Sequence, residues 1–92
     1  MDPSDDIMLT YWGFTHRKLG NPEKANTYYQ KAIAQNPDNI LARSYMGQGL
    51  VDAGDLPGAR EQLREIRVRG GRSTWAEVSL RMAIGNGRTF SY

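Results

Sequence analysis

The sequence reads as an all-α protein, a stack of helix-turn-helix units containing five helices. Shifted by 34 residues the chain aligns with itself, Gly13 falling on Gly47, Gly20 on Gly54, Asn21 on Asp55, Ala25 on Ala59 and Tyr29 on Leu63. Self-similarity at a fixed period of that length marks a repeat architecture. Within each unit the apolar residues recur at three-and-four spacing, which places them on one face of a helix. Glycine, asparagine, aspartate and proline interrupt those runs at matched places in both units, where helices must end and begin.

In the first unit, Leu9, Trp12, Gly13 and His16 share a helix face, and Gly20 ends the run as a left-handed C-cap. Asn21 caps the next helix, with Pro22 at its first position, where the missing N–H costs nothing, and Glu23 near the positive end of the dipole. Ala25, Tyr29, Ala32 and Ile33 form the inward stripe of that helix, and Asn36-Pro37 stops it. The second unit places Met46, Gly47, Leu50 and Val51 on its first helix, breaks at Gly54-Asp55, and continues with Ala59, Leu63 and Ile66 until Gly70-Gly71. A fifth helix follows, with Thr74 and Glu77 at capping-box spacing and Trp75, Val78, Leu80, Met82 and Ile84 as its apolar residues. Gly85-Asn86-Gly87 terminates it before a short "RTFSY" tail.

Gly13 and Gly47, set in helix interiors, each cost about 0.5–1 kcal/mol relative to alanine. A close helix approach is therefore expected at both, with Ala25 and Ala59 opposite them. Trp12 and Tyr29 are expected to fill the spaces between helices.

The composition removes several function classes. Nothing in the 92 residues approaches the run of about 20 apolar residues that spans a bilayer. With no cysteine there is no disulfide framework and no thiolate metal site. The acidic start "MDPSDD" has no signal-peptide pattern, so a cytoplasmic location is the default expectation. The net charge of +2 arises in the second half, from Arg60, Arg64, Arg67, Arg69, Arg72, Arg81 and Arg88.

Together the spacing and residue types resemble the tetratricopeptide repeat, whose 34-residue unit carries W-x2-L-G-x2-Y, then A-x3-F, an alanine and a closing proline. Leu9, Trp12, Gly13, His16, Ala25, Tyr29, Ala32 and Pro37 hold these places in the first unit. Arg43, Met46, Gly47, Leu50, Ala59, Leu63, Ile66 and Gly71 hold them in the second, with Arg43 and Gly71 as departures. The resemblance implies a right-handed superhelix within one domain. Residues 6–39 form one repeat, residues 40–73 a second, residues 74–85 a capping helix and residues 86–92 a tail. Asp2-Pro3 looks like the close of an earlier repeat, which implies further residues upstream of Met1 in the natural protein.

The family lines a concave groove with the first helices of its repeats and binds peptides there. At those positions stand Thr10, Tyr11, Phe14 and Arg17, then Ser44, Tyr45, Gln48 and Asp52, then Trp75, Val78, Ser79 and Met82. The resemblance thus implies a non-enzymatic scaffold or adaptor binding a protein or peptide, with Tyr11, Phe14, Tyr45 and Trp75 as apolar anchors and Arg17 and Gln48 orienting the ligand. The family's carboxylate clamp does not carry over, since Thr10 and Phe14 replace its Lys and Asn.

Other constellations are weak. His16 is the lone histidine and occupies an aromatic packing place, so neither metal nor catalysis is expected of it, and no cofactor is implied. Gly47-x-Gly49 lies inside a helical pattern with no strand before it, unlike a nucleotide loop. Arg60, Arg64 and Arg67 recur at helical spacing, but the interleaved Glu61 and Glu65 dilute their field, which disfavours nucleic acid. Two and a half repeats fall short of the three usually needed for a stable stack, so the alternative expectation is a homodimer formed through an uncovered end.

Overall fold

The computed structural model describes residues 5–87. Asp2-Pro3 and the "RTFSY" tail lie outside the described residues. Five helices follow one another: α1 (Asp6–Lys18), α2 (Pro22–Gln35), α3 (Ile40–Asp52), α4 (Leu56–Val68) and α5 (Trp75–Asn86). The described residues contain no strand.

Each helix begins where a short polar side chain satisfies a first-turn N–H. Asp5 accepts from the Ile7 amide, Asn21 from Lys24, Asn39 from Ala42, Asp55 from Gly58 and Thr74 from Glu77. At α5 only half of the capping box forms, because the Glu77 carboxylate accepts from Arg81 at 3.1 Å instead of turning back to the Thr74 amide.

The turn inside each unit is the same object built twice. Gly20 and Gly54 take φ of +81° and +85°, which lets the Asn21 amide reach the His16 carbonyl and the Asp55 amide reach the Leu50 carbonyl, both at 2.8 Å. These are Schellman closures, in which a left-handed residue redirects two amides onto orphan carbonyls. The end of α4 repeats the geometry, with Gly70 at φ +85° and the Gly71 amide 2.9 Å from the Ile66 carbonyl.

Sequential helices pack on one another, α3 also packs broadly on α5, and α1 only grazes α3. The extents of 36 × 30 × 21 Å correspond to about two helix diameters in the thinnest direction. The core is accordingly a string of small clusters at successive interfaces. Leu9, Ala32 and Ala42 join α1, α2 and α3, and Ala25, Tyr29 and Tyr45 join α2 to α3. Val51, Ala59 and Ala83 join α3, α4 and α5, and Leu63, Ile66 and Leu80 close the stack. Stability in such a chain is approximately a sum of nearest-neighbour terms.

The close approaches differ from those expected. A Cβ on Gly13 would lie 2.5 Å from Tyr29 Cε1, and one on Gly47 would lie 2.7 Å from Leu80 Cδ2. The tyrosine ring and the α5 leucine thus occupy the places assigned to Ala25 and Ala59. Trp12 does not fill an inter-helix space either; it is 39% exposed and meets Tyr28 edge-on at 5.7 Å. His16 stacks on the same ring at 5.3 Å, which makes it a packing residue on the outer side of the first pair.

Arg43, standing where the repeat pattern has a large aromatic residue, is buried and joins the two helix pairs. Its Nε donates to the Pro37 carbonyl at 2.9 Å and its Nη1 to Gln62 Oε1 at 3.1 Å. Burial, followed by the nearby Arg69, holds its guanidinium below the ordinary arginine value. Arg69 bonds Asp38 at 2.6 Å and Glu65 at 3.1 Å, and the Asp38 bond foremost raises its own value.

Asn39 ties α1 to α3 as well as capping α3. Its Nδ2 donates to Asp6 Oδ2 at 2.8 Å and Thr10 Oγ1 at 3.0 Å while Oδ1 receives the Ala42 amide at 2.9 Å. Loss of the cap and of these partly buried bonds means Asn39→Ala is expected to destabilise the fold by about 2 kcal/mol in urea titrations. A change below about 0.5 kcal/mol would show that Asn39 does not tie the pairs together.

Candidate functional site: an aromatic line across α1, α3 and α5

Tyr45 on α3 is the hub of the site. The Phe14 ring of α1 lies 5.1 Å from it, the Trp75 ring of α5 meets it edge-on at 6.0 Å, and Tyr29 of α2 backs it at 5.9 Å. Aromatic pairs favour such tilted and edge-to-face arrangements because ring edges are positive and faces negative. Lys18 adds its ammonium 5.6 Å from the Phe14 centroid.

The line extends along each helix by side-chain spacing. Tyr11 precedes Phe14 by three residues, and Trp75, Val78 and Met82 follow a three-then-four interval, so each set shares a helix face. Tyr11 and Trp75 are each 52% exposed and Met82 is 44% exposed. Phe14 and Val78 are half-buried. Tyr45 is only 9% exposed, so it supports the surface more than it forms it.

Several residues expected on this surface lie inside the protein. Ser44 and Gln48 are fully buried and Ser79 nearly so. Gln48 Nε2 lies 3.2 Å from Ser44 Oγ and 3.3 Å from Ser79 Oγ, and the two hydroxyls are 3.2 Å apart. This is a polar seam between α3 and α5, where small hydroxyl residues let the helices approach. Thr10 is also buried; its Oγ1 donates to the Asp6 carbonyl at 2.7 Å and accepts from Asn39. The expectation that Thr10, Ser44, Gln48 and Ser79 present themselves to a ligand is thereby corrected. Each is committed to a hydrogen bond that holds one helix to another or to itself.

Arg17 is mostly covered and pairs with Asp52 at 3.5 Å, linking α1 to α3. Both residues line a cavity of about 370 Å³ with Glu23, Asn26 and Tyr29. Arg17 is thus tied to Asp52 through Nη2, while its Nη1 is buried without a hydrogen-bond partner among the described residues.

Tyr28 went unrecognised in the sequence although Trp12, His16 and Lys31 all gather on it. Its position one residue before Tyr29 was the available signal, since adjacent helical residues face different directions.

No group of three or more His, Cys, Asp or Glu among the described residues is placed to hold a metal ion. None of the described helices is long and apolar enough to cross a membrane.

Two capped helix pairs joined by the same glycine turn, with an aromatic line across their first helices, define a helical repeat scaffold. Residues 8–39 match the tetratricopeptide repeat family model. The match covers 32 of the 92 residues and falls on α1 and α2 together with the joint that follows them, so this unit of the chain is similar to the repeat of that family. No curated protein and no solved structure gave a significant match. Repeats of this family generally mediate protein–protein interaction and are generally not enzymes.

Proposed function

We propose that the protein is a non-enzymatic interaction module, a scaffold or adaptor that binds a protein segment across the face carrying Tyr11, Phe14, Trp75 and Met82. The observation that supports this is the continuous line of rings from Phe14 through Tyr45 to Trp75, with Tyr11 and Trp75 half-exposed on it. Large aromatic side chains that are rigidly backed yet open to solvent are the commonest anchors of protein interfaces, because they bury much area at little entropic cost. Val78 and Met82 extend the apolar surface beside Trp75, and Lys18 lies over Phe14, which fits a segment bearing apolar anchors.

The structure also selects the variants that test the reading. Tyr45→Ala is a poor probe, since that ring touches Phe14, Tyr29 and Trp75 and its loss empties part of the core. Tyr11→Ala combined with Trp75→Ala removes mainly exposed surface, along with the edge contact of Trp75 on Tyr45. We expect this pair to reduce capture of protein partners by the full-length chain at least tenfold, as truncating an interface hot spot of about 2 kcal/mol or more does. The urea midpoint should fall only slightly. Undiminished capture by a folded double variant would remove the site from this face.

A further inference from the structure

We propose that the groove between α4 and α5 is a second docking surface, one that takes an acidic amphipathic helix of a partner protein. The groove has a volume of about 470 Å³. Leu63, Val68 and Ile84 supply its apolar floor, and Val68 leaves 64% of its surface open. Arg60, Arg67 and Arg72 stand around it, with Arg64 and Arg81 also on its lining.

Part of the charge on this rim is left unpaired. Among the described residues the carboxylates Glu61, Glu65 and Glu77 face the same region. Glu61 and Glu65 hold Arg64, and Glu77 holds Arg81 at 3.1 Å. Arg67 reaches Glu77 only at 3.9 Å, and its buried Nε has no hydrogen-bond partner. Arg60 and Arg72 form no ion pair with any described residue. A groove with an apolar floor and spare guanidinium groups is complementary to a helix with aliphatic residues on one side and carboxylates on the other.

The surrounding fold indicates why the occupant is a helix. α1 pairs with α2 and α3 with α4, but among the described helices α5 has no second helix of its own pair. A helix laid along α5 repeats a geometry the chain already uses twice. None of the described helices offers an acidic face: α4 is rich in arginine, and α1, α2, α3 and α5 mix lysine or arginine with their few carboxylates. A second copy is thus poorly complementary. No aromatic residue lines the groove, so it lacks the stacking platform that unpaired nucleic-acid bases use.

The test uses a synthetic helix with leucine along one face and glutamate along the other, titrated into the isotope-labelled full chain. Amide shifts are expected on α4 and α5. Arg60→Glu with Arg72→Glu, both at exposed positions, is expected to weaken binding about tenfold or more, and raised salt to weaken it further. The Tyr11→Ala, Trp75→Ala variant should bind the probe unchanged, which separates this surface from the aromatic one. Equal binding of the lysine counterpart of the probe would overturn the proposal. So would unaltered affinity in the folded charge-reversed variant, or shifts confined to the aromatic line. Tighter binding of oligouridylate to the same amides would assign the groove to nucleic acid instead.

Discussion

Tyr29→Ala is expected to remove about 3–5 kcal/mol of folding free energy, as truncations of large buried aromatic side chains do. The side chain is 2% exposed. Its ring lies against Gly13 on one helix and 5.9 Å from Tyr45 on another, so one substitution opens both the α1–α2 and the α2–α3 interfaces. Neither neighbour can collapse into the space, because Gly13 has no side chain and Tyr45 is held between Phe14 and Trp75. A chain of 92 residues has a total stability of about 5–14 kcal/mol at typical values per residue. The substitution thus takes a large share of it, and a substantial unfolded population should appear by circular dichroism without denaturant. A loss below about 1 kcal/mol in urea titration would show that the two interfaces do not share this ring.

The second large effect concerns the contact that holds the last helix. Leu80 is completely buried, and its Cδ2 and Cδ1 lie 2.7 and 2.8 Å from where a Cβ on Gly47 would sit. Leu80→Ala alone is expected to cost about 2–5 kcal/mol through the cavity it leaves. Gly47→Ala alone should cost about 1–3 kcal/mol by overpacking, less the 0.5–1 kcal/mol that alanine returns in helix propensity. Combined, the new methyl group enters the space the leucine vacates, so the double variant should be less destabilised than the sum by about 1 kcal/mol or more. Additivity in the double-mutant cycle would show that the two positions are not in contact.

Much of the architecture was legible because its determinants are local. A cap is made within three residues, a left-handed turn within one, and a helix stripe within two turns. Asn21, Asp55, Thr74, Gly20 and Gly54 could therefore be read without a neighbour in view, while Asn39, the cap of α3, was not singled out. Arg43 looked like a blemish in the pattern. In the fold it bonds the Pro37 carbonyl and Gln62, so it joins units where an aromatic residue would only fill space. The pattern records size and polarity at a position, not the carbonyl waiting across from it.

Recognition surfaces were less legible for the same reason. Thr10 and Tyr11 are adjacent, as are Ser44 and Tyr45, and the sequence assigned all four to one face. Thr10 and Ser44 are covered, Tyr45 is nearly so, and Tyr11 is open. What separates them is the turn of the helix between adjacent residues, which sends them to different sides, together with which side a helix a full repeat away covers. The sequence alone determined the helical period, the caps, the turns and the likeness of its first unit to a known repeat, because backbone geometry and capping act over a few residues. Only the tertiary structure decided that α3 seals against α5 through Ser44, Gln48 and Ser79, leaving the aromatic line and the arginine groove exposed. Burial belongs to the contact between distant segments, and no single helix carries that information.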